Sequence, residues 1–204
     1  MIIGLTGKNA SGKGEIANYL KAKNFIYYSL SDVIRDEATK RGLEHSRDNL
    51  IMLGNELRER HAPNYLAVQI NEKIKIFSSI KNISYSLYNK KIRKNIKKNP
   101  EQNFVVDSIR SPFEAKELMK NKSFTLLGIK APIEIRFKRM IERGRIGDAK
   151  TVEDLKRQEE RENTTNKSSQ QLDATFSLFQ KVIINDGTLE ELHAKIDKLL
   201  RDLS

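Results

Sequence analysis

Residues 1–20 read MIIGLTGKNASGKGEIANYL, and the fold is decided by how this stretch is read. Residues 1–6 are apolar, with Ile2 and Ile3 side by side, a pattern that suits a strand buried on both faces. Gly7-Lys8-Asn9-Ala10-Ser11-Gly12-Lys13 follows without a spacer, and Ile16, Tyr19 and Leu20 then recur at helical spacing from Glu15 onward. Strand, glycine-bounded loop, lysine and helix start make up a phosphate-binding loop of the Walker A type. The glycines let N–H groups turn inward around phosphate oxygens, the helix N-terminus adds partial positive charge, and Lys13 adds a full one. The position after the lysine usually carries Ser or Thr as a direct Mg2+ ligand; here it is Gly14. A metal is therefore expected to be held by water, by phosphate oxygens and by a carboxylate from elsewhere in the chain.

At 204 residues the chain predicts one compact domain, or one domain with a small mobile cap. The absence of cysteine excludes a disulfide scaffold, thiolate zinc sites and a cysteine nucleophile. His45, His61 and His193 lack metal-like spacing and read as surface residues. No basic-then-apolar leader precedes the first strand and no apolar run approaches membrane-spanning length, so the expected location is cytoplasmic, with no membrane partner. The net charge of +11 is unevenly placed: between Lys73 and Lys98 there are nine Lys or Arg and no acid, which leaves the rest of the chain at +2 (11 − 9).

Further apolar runs predict strands at 25–29, 103–106, 123–131 and 182–184. Helices are expected at 30–41, 47–60, 64–77, 112–119, 132–143, 151–162, 170–179 and 189–203. Residues 78–102, SSIKNISYSLYNKKIRKNIKKNPEQ, are of low complexity and read either as a mobile insertion, partly helical at most, or as a solvated helix. Alternating strands and helices, with strands apolar on both faces, predict an α/β fold: a parallel sheet covered by helices, with ligands at the carboxyl ends of its strands. Gly7, Ser29, Asp107 and Asn185 all fall at such ends.

Five places resemble, in order and spacing, the adenylate kinase-like nucleoside monophosphate kinases, and together they span nearly the whole chain. Gly12-Lys13-Gly14 is similar to that family's loop, with Asn9-Ala10 in place of its usual Pro-Gly and Glu15 in place of its Thr. Residues 29–35, SLSDVIR, are similar to its STGDMLR segment, which implies that Ser29, Asp32 and Arg35 meet the acceptor and that Arg35 holds its phosphate. VVDSIRSP at 105–112 is similar to its DGFPR segment, which implies that Asp107 orients the water shell of Mg2+ and that Arg110 contacts the phosphate receiving the transferred group. IEIRFKRMIERGR at 133–145 is similar to the helix entering its lid. There the resemblance implies that Arg139 stacks on the donor base, that Arg143 reaches the donor phosphates, and that 144–162 forms the lid. Asn185-Asp-Gly187-Thr188 is similar to the loop behind the donor adenine. The same resemblance implies that residues 29–77 form the acceptor-binding segment and 78–102 a basic insertion.

The opening GLTGKNASGKGE and the ending INDGTLEEL also resemble dephospho-coenzyme A kinase. The pattern DVIR…LGNELR…DSIR is similar to a class of P-loop proteins and deaminase-linked kinase domains. Physical chemistry asks for these residue types: phosphoryl transfer needs in-line positioning, a metal and several fixed cations around spreading negative charge. Arginine binds phosphate oxygens in pairs and stays charged. The expected activity is ATP- and Mg2+-dependent phosphoryl transfer to a nucleotide-like acceptor. The rival is an ATP-switched module that binds RNA through the clustered Lys and Arg of 78–102, with Tyr85 and Tyr88 stacking on bases. Arg157 and Arg161 read as partners in i,i+4 ion pairs with glutamate along a charged helix.

Overall fold

The computed structural model describes residues 1–91, 102–145, 147–161, 163 and 165–203, with the main chain alone for 81–91. In chain order the elements are β1 (Ile2–Thr6), α1 (Lys13–Ala22), β2 (Ile26–Ser29), α2 (Leu30–Lys40), α3 (Arg47–Arg60), α4 (Tyr65–Lys91) and β3 (Phe104–Asp107). They continue with α5 (Pro112–Leu118), β4 (Phe124–Lys130), α6 (Ile133–Arg143), α7 (Val152–Arg161), α8 (Leu172–Phe176), β5 (Lys181–Ile184) and α9 (Leu189–Leu203). The five strands form one parallel sheet in the order β2-β3-β1-β4-β5.

Side chains alternate across a strand, which is why consecutive isoleucines open the chain. Ile2 joins Phe104, Val106, Phe124 and Leu126 in a core shared with Leu30, Ile34, Leu53, Leu57 and Ile70 of α2, α3 and α4. Ile3 and Leu5 turn to the opposite face, with Val105, Leu127 and Ile129, against Ile16 and Leu20 of α1 and Ile196 of α9. The helix after β1 thus covers one face, while the helix after the neighbouring β3 covers the other through Ala115 and Leu118. The chain diverges between β1 and β3, and an open parallel sheet places its ligands beyond the carboxyl ends of strands at such a point.

The expected fold class is thereby observed, with local corrections. α1 begins at Lys13, so the lysine stands in the first turn of the helix. The helix expected at 170–179 narrows to Leu172–Phe176 and ends in a turn, in which the Phe179 N–H donates to the Phe176 carbonyl at 3.2 Å. The helix expected at 64–77 runs further, because α4 continues without a break through 78–91 of the segment 78–102. No Gly or Pro interrupts Tyr65–Lys91, and Ser, Asn and Lys lower helix propensity by only tenths of a kcal/mol each. Residues 92–101 of that segment, Pro100 among them, lie outside the described residues. Among the described residues no helix is long and apolar enough to cross a membrane.

Candidate phosphate-binding cleft

The loop expected to grip phosphate joins the end of β1 to α1, and long-range contacts fix its shape. Lys13 Nζ donates to the carbonyls of Gly7 at 2.7 Å and Lys8 at 2.9 Å, folding the side chain over the loop. Gly12 holds a left-handed φ of 105°, and a Cβ there would run into the Asn185 amide. Asn185 Nδ2 donates to the Ser11 carbonyl at 2.9 Å, while Arg139 donates to the Asn185 carbonyl and Oδ1, both at 3.2 Å. The structure thus brings together the loop, the end of β5 and α6, although they are far apart in sequence. Ala10 holds a left-handed φ of 57°, and its N–H donates to Asn9 Oδ1 at 3.0 Å. Ser11 is buried, and its Oγ finds no partner. Gly14 faces open space, and the Glu15 side chain is exposed. Past Lys13, the first turn of α1 therefore offers main-chain N–H groups rather than side chains. Gly187 lies beyond Asn185 in the turn before α9, where the Thr188 N–H donates to Glu191 at 3.1 Å.

Beside the loop lies a cleft of about 330 Å3 lined by six arginines: Arg35, Arg47, Arg58, Arg110, Arg143 and Arg145. Asp148 is the carboxylate among its lining residues. Ser29 ends β2 and caps α2, its Oγ accepting from the Ser31 N–H and donating to Ser108 Oγ, both at 3.2 Å. Arg35 is exposed and paired with Asp32 at 2.5 Å. Asp107 ends β3 half-buried, and its Oδ1 accepts from the N–H of Ser108, whose φ is a left-handed 64°. Burial, and after it the Asp107 carboxylate, raises the pKa of the Tyr27 phenol above its ordinary value. Arg110 Nη1 donates to Gln170 Oε1 at 3.0 Å.

Arg143 belongs to both regions. It grips Asp148 with two bonds of 2.7 Å and donates to Asn9 Oδ1 at 3.1 Å. Partial burial pushes the Asp148 carboxyl up, but the hydrogen bonds from Arg143 and its charge outweigh this and hold the pKa below its ordinary value. The segment 144–162 turns at Gly144 and returns as α7, packing Leu155 on Met140 and Ala149. Glu159 of α7 pairs with Lys8 of the loop at 3.0 Å and with buried Arg136. Arg157 pairs with Asp154, an aspartate three residues before it rather than a glutamate at i,i+4.

Several of these residues carry no functional signal in the sequence: Arg58 stands out only within LGNELR, and Glu114, Gln170, Arg136, Glu159, Arg47 and Arg145 not at all. A Glu in the first turn after Pro112 looks like a helix-dipole partner, and its complete burial has no local signature. Two histidines expected at the surface are ring-stacked, His193 on Tyr19 and His61 on Tyr65. No cluster of three or more His, Cys, Asp or Glu suited to a metal occurs among the described residues. The residues present still fit Mg2+ held mainly through water and phosphate oxygens, because the Asp107 carboxylate stands at the end of β3, the strand beside β1 and its loop.

Residues 3–172 match the AAA domain family. A UPF0200 protein of Pyrococcus abyssi is 30% identical, over 100% of this chain and 97% of its own length. Among solved structures, TT1252 from Thermus thermophilus superposes with a TM-score of 0.52 at 20% identity, covering 100% of this chain and 98% of that one. A shikimate kinase from Acinetobacter baumannii in complex with shikimate gives 0.54 at 10% identity, covering 98% and 93%. At such identities these two likenesses speak to the fold alone, the parallel five-stranded sheet covered by helices described above. With the family match covering most of its length and the Pyrococcus relative matching end to end, the chain belongs to the AAA domain family and to the UPF0200 proteins.

Proposed function

We propose that this protein transfers the γ-phosphoryl group of ATP to a nucleotide-like acceptor that already bears a phosphate, a nucleoside or deoxynucleoside monophosphate. One observation carries this reading: Arg143, a lining residue of the six-arginine cleft, also donates to Asn9 of the phosphate loop. Donor loop and acceptor cleft therefore open onto one another, as in-line transfer requires.

In this reading Lys13 leaves the carbonyls of Gly7 and Lys8 for the terminal phosphates of ATP, and the loop N–H groups hold the rest of the chain of phosphates. Arg35 and Arg110 hold the acceptor phosphate. Asp148 occupies the Arg143 fork until phosphate oxygens take its place. Asp107 would hold Mg2+ through its water shell; when bound, the ion neutralises charge on the transferring phosphates. Asn185 and Arg139 back the donor base. The segment 144–162, held to the loop by Glu159, excludes water so that transfer wins over hydrolysis.

A second, larger cavity of about 690 Å3 shares His45, Arg47, Ile51 and Gln170 with the cleft. It favours, as the second reading, an acceptor of the length of dephospho-coenzyme A. The test is a screen of nucleoside and deoxynucleoside monophosphates and dephospho-coenzyme A with ATP and Mg2+. Rapid turnover with one of them supports the kinase and names its acceptor. Slow ATP hydrolysis unaffected by every candidate would replace the kinase with an ATP-switched binding module, RNA contact through 78–102 included.

A further inference from the structure

The floor of the arginine cleft contains an ion pair that none of the roles above uses. Arg58 of α3 is 3% exposed and Glu114 of α5 is fully buried. Arg58 Nε and Nη2 both reach Glu114 Oε1, at 2.9 and 2.8 Å. The other carboxylate oxygen, Oε2, accepts the main-chain N–H of Arg110 at 3.0 Å. Gly54, one helical turn before Arg58, leaves room for the third corner of the fork: a Cβ there would stand 3.3 Å from Arg58 Nη1 and 2.9 Å from Ile34 Cδ1.

Taking a carboxylate and a guanidinium out of water is costly, and well-packed apolar residues of similar volume often replace such a pair without loss of stability. A pair serving only the core would therefore be an expensive way to fill it. Arg58 of this pair lines the cleft, as does Arg110. We propose that Glu114 is the positioning residue of the acceptor site. Its one carboxylate sets the Arg58 guanidinium in the floor and the Arg110 main chain at the wall, so that the two arginines stand ready as a pair for one phosphate group. Arg58 thereby becomes a phosphate-contacting residue alongside Arg110. The proposal rests on the reading of the cleft as a site for a phosphorylated acceptor. It adds that the site is assembled before the acceptor arrives, so that little ordering is left for binding to supply.

The test uses the whole chain loaded with the β,γ-imido analogue of ATP, which occupies the phosphate loop, and inorganic phosphate as the probe. In the wild-type protein, phosphate is expected to shift the side-chain Nε–H resonance of Arg58 and the main-chain N–H resonance of Arg110 together in nuclear magnetic resonance spectra. The double variant Arg58→Met/Glu114→Met removes both charges and keeps the volume filled. It is expected to bind the ATP analogue within about twofold of wild type and to lose about tenfold or more in phosphate affinity, the loss of a charge-assisted contact. Wild-type phosphate affinity in the double variant would overturn the proposal, as would Arg58 and Arg110 resonances that ignore phosphate. If the double variant fails to fold, the wild-type resonances alone decide. Phosphate binding that behaves as expected in a protein with no turnover on any acceptor sinks the kinase reading and leaves the positioning role standing.

Discussion

Asn185, at the end of β5, donates its amide to the carbonyl of Ser11 across 174 residues of sequence. The bond fixes the far wall of the phosphate loop and explains why position 12 must lack a side chain. Gly12→Ala is expected to weaken ATP binding by about tenfold or more and to destabilise the fold by roughly 1–2 kcal/mol. The left-handed conformation supplies that cost, and the collision with Asn185 adds to it. Calorimetric titration with ATP and thermal melting read the two effects. Wild-type affinity in this variant would show that the loop reshapes freely.

Lys13→Ala is expected to slow phosphoryl transfer by about a hundredfold or more. Removing one aligned cation from a water-excluded site costs about 3 kcal/mol or more of transition-state stabilisation, roughly a hundredfold in rate. Lys13 also makes two hydrogen bonds to loop carbonyls, so the melting temperature should fall modestly, by a few degrees. Turnover near the wild-type rate would falsify the phosphate-grip assignment.

Arg35→Ala and Arg110→Ala should separate in steady-state kinetics with the best acceptor. Arg35 is exposed at the rim, and its loss should act on acceptor KM. Arg110, held through its main chain by Glu114 and through its side chain by Gln170, should lose kcat as well, because the group it holds gains charge as transfer proceeds. ATP affinity should stay near wild type in both. Wild-type transfer rates in both variants would mean that the acceptor binds elsewhere.

Gly14 faces open space, so Gly14→Thr is expected to fold at least as well as wild type; a helical glycine is the weaker helix former by about 0.5 kcal/mol. The hydroxyl restores the side chain that usually meets the metal in this loop type. Half-saturation by Mg2+ should accordingly fall. A Mg2+ dependence that is unchanged, or shifted to higher concentration, would show that the site cannot accept a direct hydroxyl ligand.

Asp148 predicts a pH signature. Its folded-state pKa lies below the ordinary 3.8, so the folded protein binds fewer protons than the unfolded chain in that range. The stabilisation is present above the ordinary value and is lost as the pH falls from about 4 through the lower folded value. Asp148→Asn should therefore be less stable than wild type at pH 6, with the gap closing below pH 4. Denaturant unfolding at the two pH values tests this, and a gap of equal size at both would show that the carboxylate charge is not what stabilises the turn.

Much of this protein is legible from local pattern. The phosphate loop, the apolar strands and the placement of Ser29, Asp107 and Asn185 at strand ends all follow from short-range constraints. These are a period of two residues in strands, a longer one in helices, and glycines where the chain must turn. The extent of α4 was less legible, because its composition suits a solvated helix and an unstructured insertion equally well.

What only the tertiary structure decided is which of these ends meet. Asn9 meets Arg143, Ser11 meets Asn185, and Glu114 holds Arg58 and Arg110 on one carboxylate. The sequence determined that a glycine-bounded loop with Lys13 joins a buried strand to a helix, and where that loop lies in the chain. Which arginines share one cleft, and that a buried Glu joins Arg58 from 56 residues away to neighbouring Arg110, depends on burial and on how the elements pack. A hydrogen bond or an ion pair carries no periodicity, and its energy depends on the water excluded around it, which is set only when the layers pack.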